Sequence, residues 1–244
     1  EPVAPTARGN GRFEDNKFIF SERETIDEGL GPTYNDVGCV ECHQSVDVGA
    51  FGQQMEFRAG HITNGQFVDA PGGQLVHARG TDSDIVEHIS TAETVKAFRV
   101  VTSALGDGFV ECIANGTLQN NVAAQPLAQR GTLTAVPVVE ANNTLRVGRF
   151  GWKAQHASLQ SFAGDAYLNE MGITSPLFPE ENTSSGRFVG IGSGFDPVAD
   201  PEDDGDDLVA FADFMRSTKA PPRGAITASV RAGGEQQGEG ALDA

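Results

Sequence analysis

Two cysteines three positions apart, with a histidine directly after the second, constrain this chain more than any other stretch: Cys39-Val40-Glu41-Cys42-His43. The spacing is the attachment signature of c-type haem. Each thiol can add to one vinyl group on the same edge of a porphyrin, forming two thioethers. The next residue then lies under the ring, where an imidazole nitrogen reaches the iron. Cys39 and Cys42 are therefore the expected anchors and His43 the expected proximal ligand of one covalent haem c. A thioredoxin-like Cys-x-x-Cys would sit in a βαβ pattern, and none is visible. A zinc site would need a second ligand pair at finger-like spacing, but the third cysteine, Cys112, stands alone and far away. Without a partner, Cys112 is expected as a buried free thiol.

A cofactor of that size has to be enclosed, and 244 residues are enough for one large domain or two small ones. Glycine supplies 30 of them, which predicts a loop-rich chain. Acidic residues outnumber basic ones 34 to 17, for a net charge of −17. A basic stripe for nucleic acid is missing, and an anionic membrane surface is a disfavoured partner. No apolar run approaches the ~20 residues of a membrane span, so no membrane insertion is expected. The acidity suits a basic redox partner protein, although solubility alone accounts for it equally well. The chain starts at Glu1 without a leader, as a processed chain would. Haem c is attached outside the bacterial cytoplasm, so a periplasmic or extracellular location is expected.

The local patterns predict a mainly α, cytochrome c-like haem domain with long loops and a small β insert. It would span 12–219, between an N-terminal arm (1–11) and a linker or tail (220–244). Ser21 with Glu24 offers a capping box. A helix carrying the Cys-x-x-Cys-His run would bury Tyr34, Val37 and Val40. Residues 49–80 read as long glycine-rich loops wrapping the haem. A helix capped by Ser83 or Asp84 would bury Ile85 and Ile89, and a second helix or turn would run through Val95, Phe98 and Val101. Residues 132–139 and 144–150, on either side of Asn142-Asn143, predict a hairpin. Apolar spacing predicts helices over 157–168 and 207–218, the second packing on the haem-bearing helix.

Beyond the cysteines, several stretches resemble one family: Phe67 to Gly73, Leu105 to Glu111, Arg149-Phe150-Gly151-Trp152-Lys153, Asn169 to Thr174, and Lys219 to Arg223. With the Cys-x-x-Cys-His run they look like the bacterial di-haem oxidoreductases, described as peroxidases or thiol oxidoreductases, over residues 12–224. That family is in turn distantly similar to di-haem cytochrome c peroxidases. In those a tryptophan between two haems precedes a Ser-Leu helix and a Glu-Met-Gly turn. Here Trp152, Ser158-Leu159 and Glu170-Met171-Gly172 follow in that order. The resemblance implies a peroxidase-like enzyme, with Trp152 as electron relay and Glu170 as the acid/base that helps cleave the O–O bond. It departs at Phe162, where the peroxidases carry glutamine, and Gln160 is out of place. The family also carries a second Cys-x-x-Cys-His module after the Pro-Pro segment, so a second haem module or chain is an expected partner. The alternative is a pure electron-transfer cytochrome, alone or in a larger assembly.

The sixth iron ligand decides between these readings. His61, eighteen residues after His43 in a glycine-rich stretch, is the leading candidate, because the peroxidases place a distal histidine in a similar loop. Met171 is next, with core packing as its plainer role. His77 and His88 read as ordinary surface or core histidines, His156 is a candidate hydrogen-bond partner for a haem propionate, Met55 remains a candidate, and Met215 packs in the last helix. Arg149 and Lys153, with Arg58 and Arg79, are candidates for the haem propionates. The acidic run from Asp196 to Asp207 offers the hard oxygen ligands that Ca²⁺ takes, and the related peroxidases carry a calcium. Lacking EF-hand spacing, it reads first as a solvated acidic loop, with Ca²⁺ as the second reading.

Overall fold

The computed structural model describes residues 10–222 and 224. Helix α1 (Asn10–Phe20) opens it, and strand β1 (Thr33–Tyr34) leads into α2 (Cys39–Cys42), a single turn. There follow β2 (Met55–Thr63), β3 (Gln66–Asp69), β4 (Leu75–Val76), β5 (Arg79–Gly80) and β6 (Val95–Val100). Next come α3 (Asp107–Glu111), α4 (Asn115–Ala124), and the antiparallel pair β7 (Ala135–Val138) and β8 (Thr144–Val147). Helix α5 (Leu159–Ala166) widens into a π turn over Tyr167–Met171, and α6 (Asp206–Ser217) is the last element.

The chain is mixed α/β, which overturns the expected mainly α, cytochrome c-like fold. Helix takes 31% of the described residues and strand 19%, in several sheets. The difference arises mostly between residues 49 and 100. Gly60 pairs with Asp69 on one edge of β2 and with Val95 on the other, and Phe57 likewise pairs with Val76 and Phe98. Strands β3 and β4 therefore share one edge of β2, and β6 takes the other. Glycine here marks close approach rather than a slack loop: a Cβ on Gly60 would lie 2.5 Å from the Val68 carbonyl oxygen. The expected helix through Val95 and Phe98 is β6, because β2 supplies a pairing edge and the Phe57 and Phe98 rings stack at 4.9 Å. The expected helix near Ile85 shrinks to a 3₁₀ turn, Ser83–Ile85, capped by Asp82 rather than by Ser83 or Asp84.

The core lies between α1, α5, the π turn and α6. Helix α6 buries Leu208, Phe211, Phe214 and Met215, as its apolar spacing predicts. Its most extensive helix neighbour is α1, not the short haem-motif turn α2. Phe20 of α1 lies 4.7 Å from the Phe214 ring and meets the Phe211 ring edge-on at 6.0 Å. The expected arm thus ends before Asn10, where α1 begins. Residues 1–9, and nearly all of the expected tail after Pro222, lie outside the described residues. The capping box falls at Thr25 and Glu28 instead of Ser21 and Glu24, since the Ser21 hydroxyl instead donates to the Lys17 carbonyl and closes α1.

Helix α3 docks on the end of α6 through two glycines. Gly106 has φ +87° beside Ala220, and a Cβ on Gly108 would lie 2.7 Å from the Arg216 backbone. That contact sets Glu111 against Arg216, with Nε donating to Oε2 at 2.8 Å and Nη2 to Oε1 at 3.1 Å. The same carboxylate accepts the Leu159 N–H at 2.7 Å, so Glu111 joins the starts and ends of three helices. Cys112, at the end of α3, is exposed rather than buried.

Candidate cofactor site

The turn α2 is held by backbone contacts that leave no room for side chains. A Cβ on Gly38 would lie 2.5 Å from the Glu22 carbonyl oxygen, and one on Gly52 would lie 1.9 Å from the Cys42 carbonyl oxygen. The loop bearing Gly49 and Ala50 thereby wraps His43. The Gly49 N–H donates to the His43 carbonyl at 2.8 Å. The His43 ring places Nδ1 3.2 Å from the Ala50 carbonyl. A carbonyl only accepts, so Nδ1 carries the proton and Nε2 keeps its lone pair. Burial lowers the ring's pKa, against the opposing pull of the Ala50 and Thr102 backbone, and keeps the imidazole neutral and fit to bind a metal.

Cys39, Cys42 and His43 line a cavity of about 380 Å³, within the roughly 300–1,000 Å³ range of cofactor sites. Phe20, Phe162, Ala163, Phe211 and Met215 give it an apolar wall. Arg58, Arg79 and Arg99 also line it, with Arg58 paired to Glu56 and Arg79 to Asp36 at 2.5 Å. Cys39 and Cys42 are free thiols, not a disulfide. Burial pushes both thiols up to about 12, with neighbouring acidic groups adding to the shift. A thioredoxin-type pair works through a depressed thiol pKa, and this pair has the opposite.

The π turn brings Glu170 and Met171 to the same cavity. π turns of this kind are frequent at functional sites. Gly172 ends the turn at φ +73°, where a Cβ would lie 2.7 Å from the carbonyl oxygens of Gly31 and Thr33. The Gly31 N–H donates to the Met171 carbonyl at 2.9 Å, and the Asp36 N–H to the Glu170 carbonyl at 3.2 Å. The strand before α2 is thus stitched to the turn that carries Glu170. Burial raises the Glu170 pKa; the hydrogen bond from Asn35 and the nearby His77 and Arg58 lower it only in part. Trp152 also lines the cavity, half in solvent, and its Nε1–H donates to the Val100 carbonyl at 3.1 Å.

Other expected site residues lie elsewhere. His61 is on β2, pairs with Glu93 at 2.9 Å, and is not among the cavity-lining residues. Arg149 spends its guanidinium on the Val147 and Ile113 carbonyls and on Asn115, outside the lining. Lys153 is exposed and also outside it. His156 pairs with Asp165 at 3.1 Å, and His88 is exposed. Arg99 went unnoticed in the sequence, because only the pairing of β6 with β2 carries it to the site.

The residues fit a haem. Two unpaired thiols and a neutral imidazole lie on one side of an apolar cavity, and the Arg58 Nε–H is buried with no acceptor. That orphaned donor, among three arginines, matches the carboxylates of haem propionates. No family model, curated protein or solved structure matches the chain.

Proposed function

We propose that this chain is a c-type haem oxidoreductase with peroxidase-like activity, exported to the periplasm or beyond. The observation that carries the reading is the meeting of Cys39, Cys42 and His43 with the buried Glu170 in one cavity. Cys39 and Cys42 would hold the haem by thioethers, His43 Nε2 would bind its iron, and Arg58, Arg79 and Arg99 would receive its propionates. When bound, haem supplies one-electron chemistry at its iron.

The other roles belong to the chain itself. Asn35 Nδ2 donates to Glu170 Oε2 at 2.7 Å, which leaves Oε1 to hold a proton. With its pKa raised by burial, that carboxyl stays protonated closer to neutral pH and can give the proton to a peroxide oxygen. Phe20, Phe162 and Phe211 form an apolar wall that gives water no hydrogen-bond partners there. Trp152 spans cavity and solvent and is the relay for electrons from a redox partner or a second haem module. Among the described helices none is long and apolar enough to cross a membrane.

Optical spectra with and without hydrogen peroxide test the reading, together with Glu170→Gln. Peroxide should change the spectrum rapidly, and Glu170→Gln should lower turnover by about 10²–10⁴-fold while haem stays bound. Unchanged turnover in that variant removes Glu170 from the mechanism.

One observation favours a second reading. Met171 and Met215 line the same cavity, and a thioether in the sixth position would make the protein a pure electron carrier. That carrier would show a low-spin spectrum indifferent to peroxide.

A further inference from the structure

Away from the cofactor cavity, three carboxylates meet and a fourth lies near enough for its charge to act on them. One oxygen from each of Glu181, Asp200 and Glu202 lies within 4.8 Å of the other two. Both oxygens of Glu181 are buried and accept no hydrogen bond, and neither does Glu202 Oε1. Thr174 fixes the other Glu202 oxygen, through its N–H at 2.9 Å and its hydroxyl at 2.5 Å, so Oε1 faces the group unpartnered. Asp196 brings a fourth carboxylate. It is only 9% exposed, its Oδ2 has no partner, and its charge bears on both Glu181 and Asp200. Among the described residues, no lysine, arginine or histidine forms an ion pair with any of the four.

Buried carboxylates without donors or counter-charge are costly, and like charges crowded together add to the cost. A bound cation removes both penalties at once. The donors are all hard oxygens, with no nitrogen or sulfur of the kind zinc prefers. Their irregular placement, with Asp200 exposed to solvent and open to water ligands, suits the large, flexible shell of Ca²⁺ better than the strict octahedron of Mg²⁺. We propose that Glu181, Asp196, Asp200 and Glu202 form a Ca²⁺ site. The proposal is independent of the haem reading.

The site ties two loops to the wall of the cavity. Thr174, which holds Glu202, comes two residues after the Glu170-Met171-Gly172 turn. Gly29 packs on the Glu202 stem so closely that a Cβ there would lie 2.5 Å from Cγ. The Asp203 N–H donates to the Thr174 carbonyl at 3.2 Å. Bound Ca²⁺ would fasten the loop before α6 to the turn that positions Glu170.

The test is calorimetric titration of the chelator-treated full chain with calcium chloride, and with magnesium chloride for comparison, alongside thermal melting. Expected are one Ca²⁺ per chain, a higher melting temperature with Ca²⁺, and at least tenfold weaker Mg²⁺ binding. Glu181→Gln should weaken Ca²⁺ at least tenfold, and so should Asp200→Asn, which is exposed and leaves folding intact if Glu181→Gln does not. Asp204→Asn, on the exposed face of the same acidic run, should bind as the parent does. Absence of binding heat and of any melting shift with Ca²⁺ overturns the site. So does unaltered binding in Asp200→Asn.

Discussion

Asn35 grips Glu170 twice: its side-chain Nδ2 donates to Oε2 at 2.7 Å, and its backbone N–H donates to the Glu170 carbonyl at 2.7 Å. Its remaining side-chain atom, Oδ1, accepts the Ala78 N–H at 3.0 Å, so the amide cannot flip without losing a bond. The side-chain bond favours the ionised carboxylate and partly offsets burial. Asn35→Ala removes it, and the Glu170 pKa should rise further. The limb of the pH–rate profile for peroxide that reports Glu170 should move to higher pH, with haem content unchanged. A profile identical to the parent's would separate Asn35 from the chemistry.

Covalent attachment can be read directly. Cys39→Ala or Cys42→Ala alone leaves one thioether, and acid–acetone extraction should release no haem from either variant. The double variant should release all of it. His43→Ala should keep the haem attached and change the spectrum of the reduced protein, because only the nitrogen ligand is gone.

Glu111 and Arg216 join α3, α5 and α6 in one partly buried, two-pronged pair. Removing one partner strands the other, at about 3 kcal/mol. Urea unfolding of Glu111→Ala and Arg216→Ala should each show a loss of that order. The double variant should lose less than the sum, since the two share one contact, with the Leu159 cap lost in both variants that lack Glu111.

Asp107, at the start of α3, is raised from an ordinary 3.8 to about 6 by burial alone. Between those values the folded chain holds a proton that the unfolded chain has released. Stability therefore falls as pH rises through that window, and the loss is complete above it. Asp107→Asn should flatten this part of the stability–pH curve and raise the urea midpoint at pH 7. An unchanged slope between pH 4 and 6 would show that the carboxyl is better solvated than its packing implies.

The features legible in the sequence are the local ones. The apolar faces of α5 and α6 and the β7–β8 pair follow from spacing that no distant contact has to supply. Both the Cys-x-x-Cys-His run and the Glu-Met-Gly turn line one cavity, and each is a short, self-contained stretch. The β2–β6 sheet was not legible. Its strands are separated by more than thirty residues, and the glycines that let them approach read as slack when taken one at a time. His61 and Arg149 were misplaced for the same reason: distance along the chain says nothing about which edge of β2 faces the cavity, or which carbonyls claim a guanidinium. Glu181 escaped notice because its acidic partners come fifteen and more positions later, and only the fold of the intervening loop joins them.

The π turn at Tyr167–Met171 has a further consequence. An α-helix advances each residue by about 100° around its axis. The looser winding delays Glu170 and Met171 in rotation, so that they come round to the cavity while Leu168 stays in the core. Deleting one residue from the turn would tighten the coil and swing the carboxyl toward packed neighbours, with every side chain in the cavity itself untouched. The reach of this site is therefore tuned by the pitch of a backbone screw, a property that no single side chain carries.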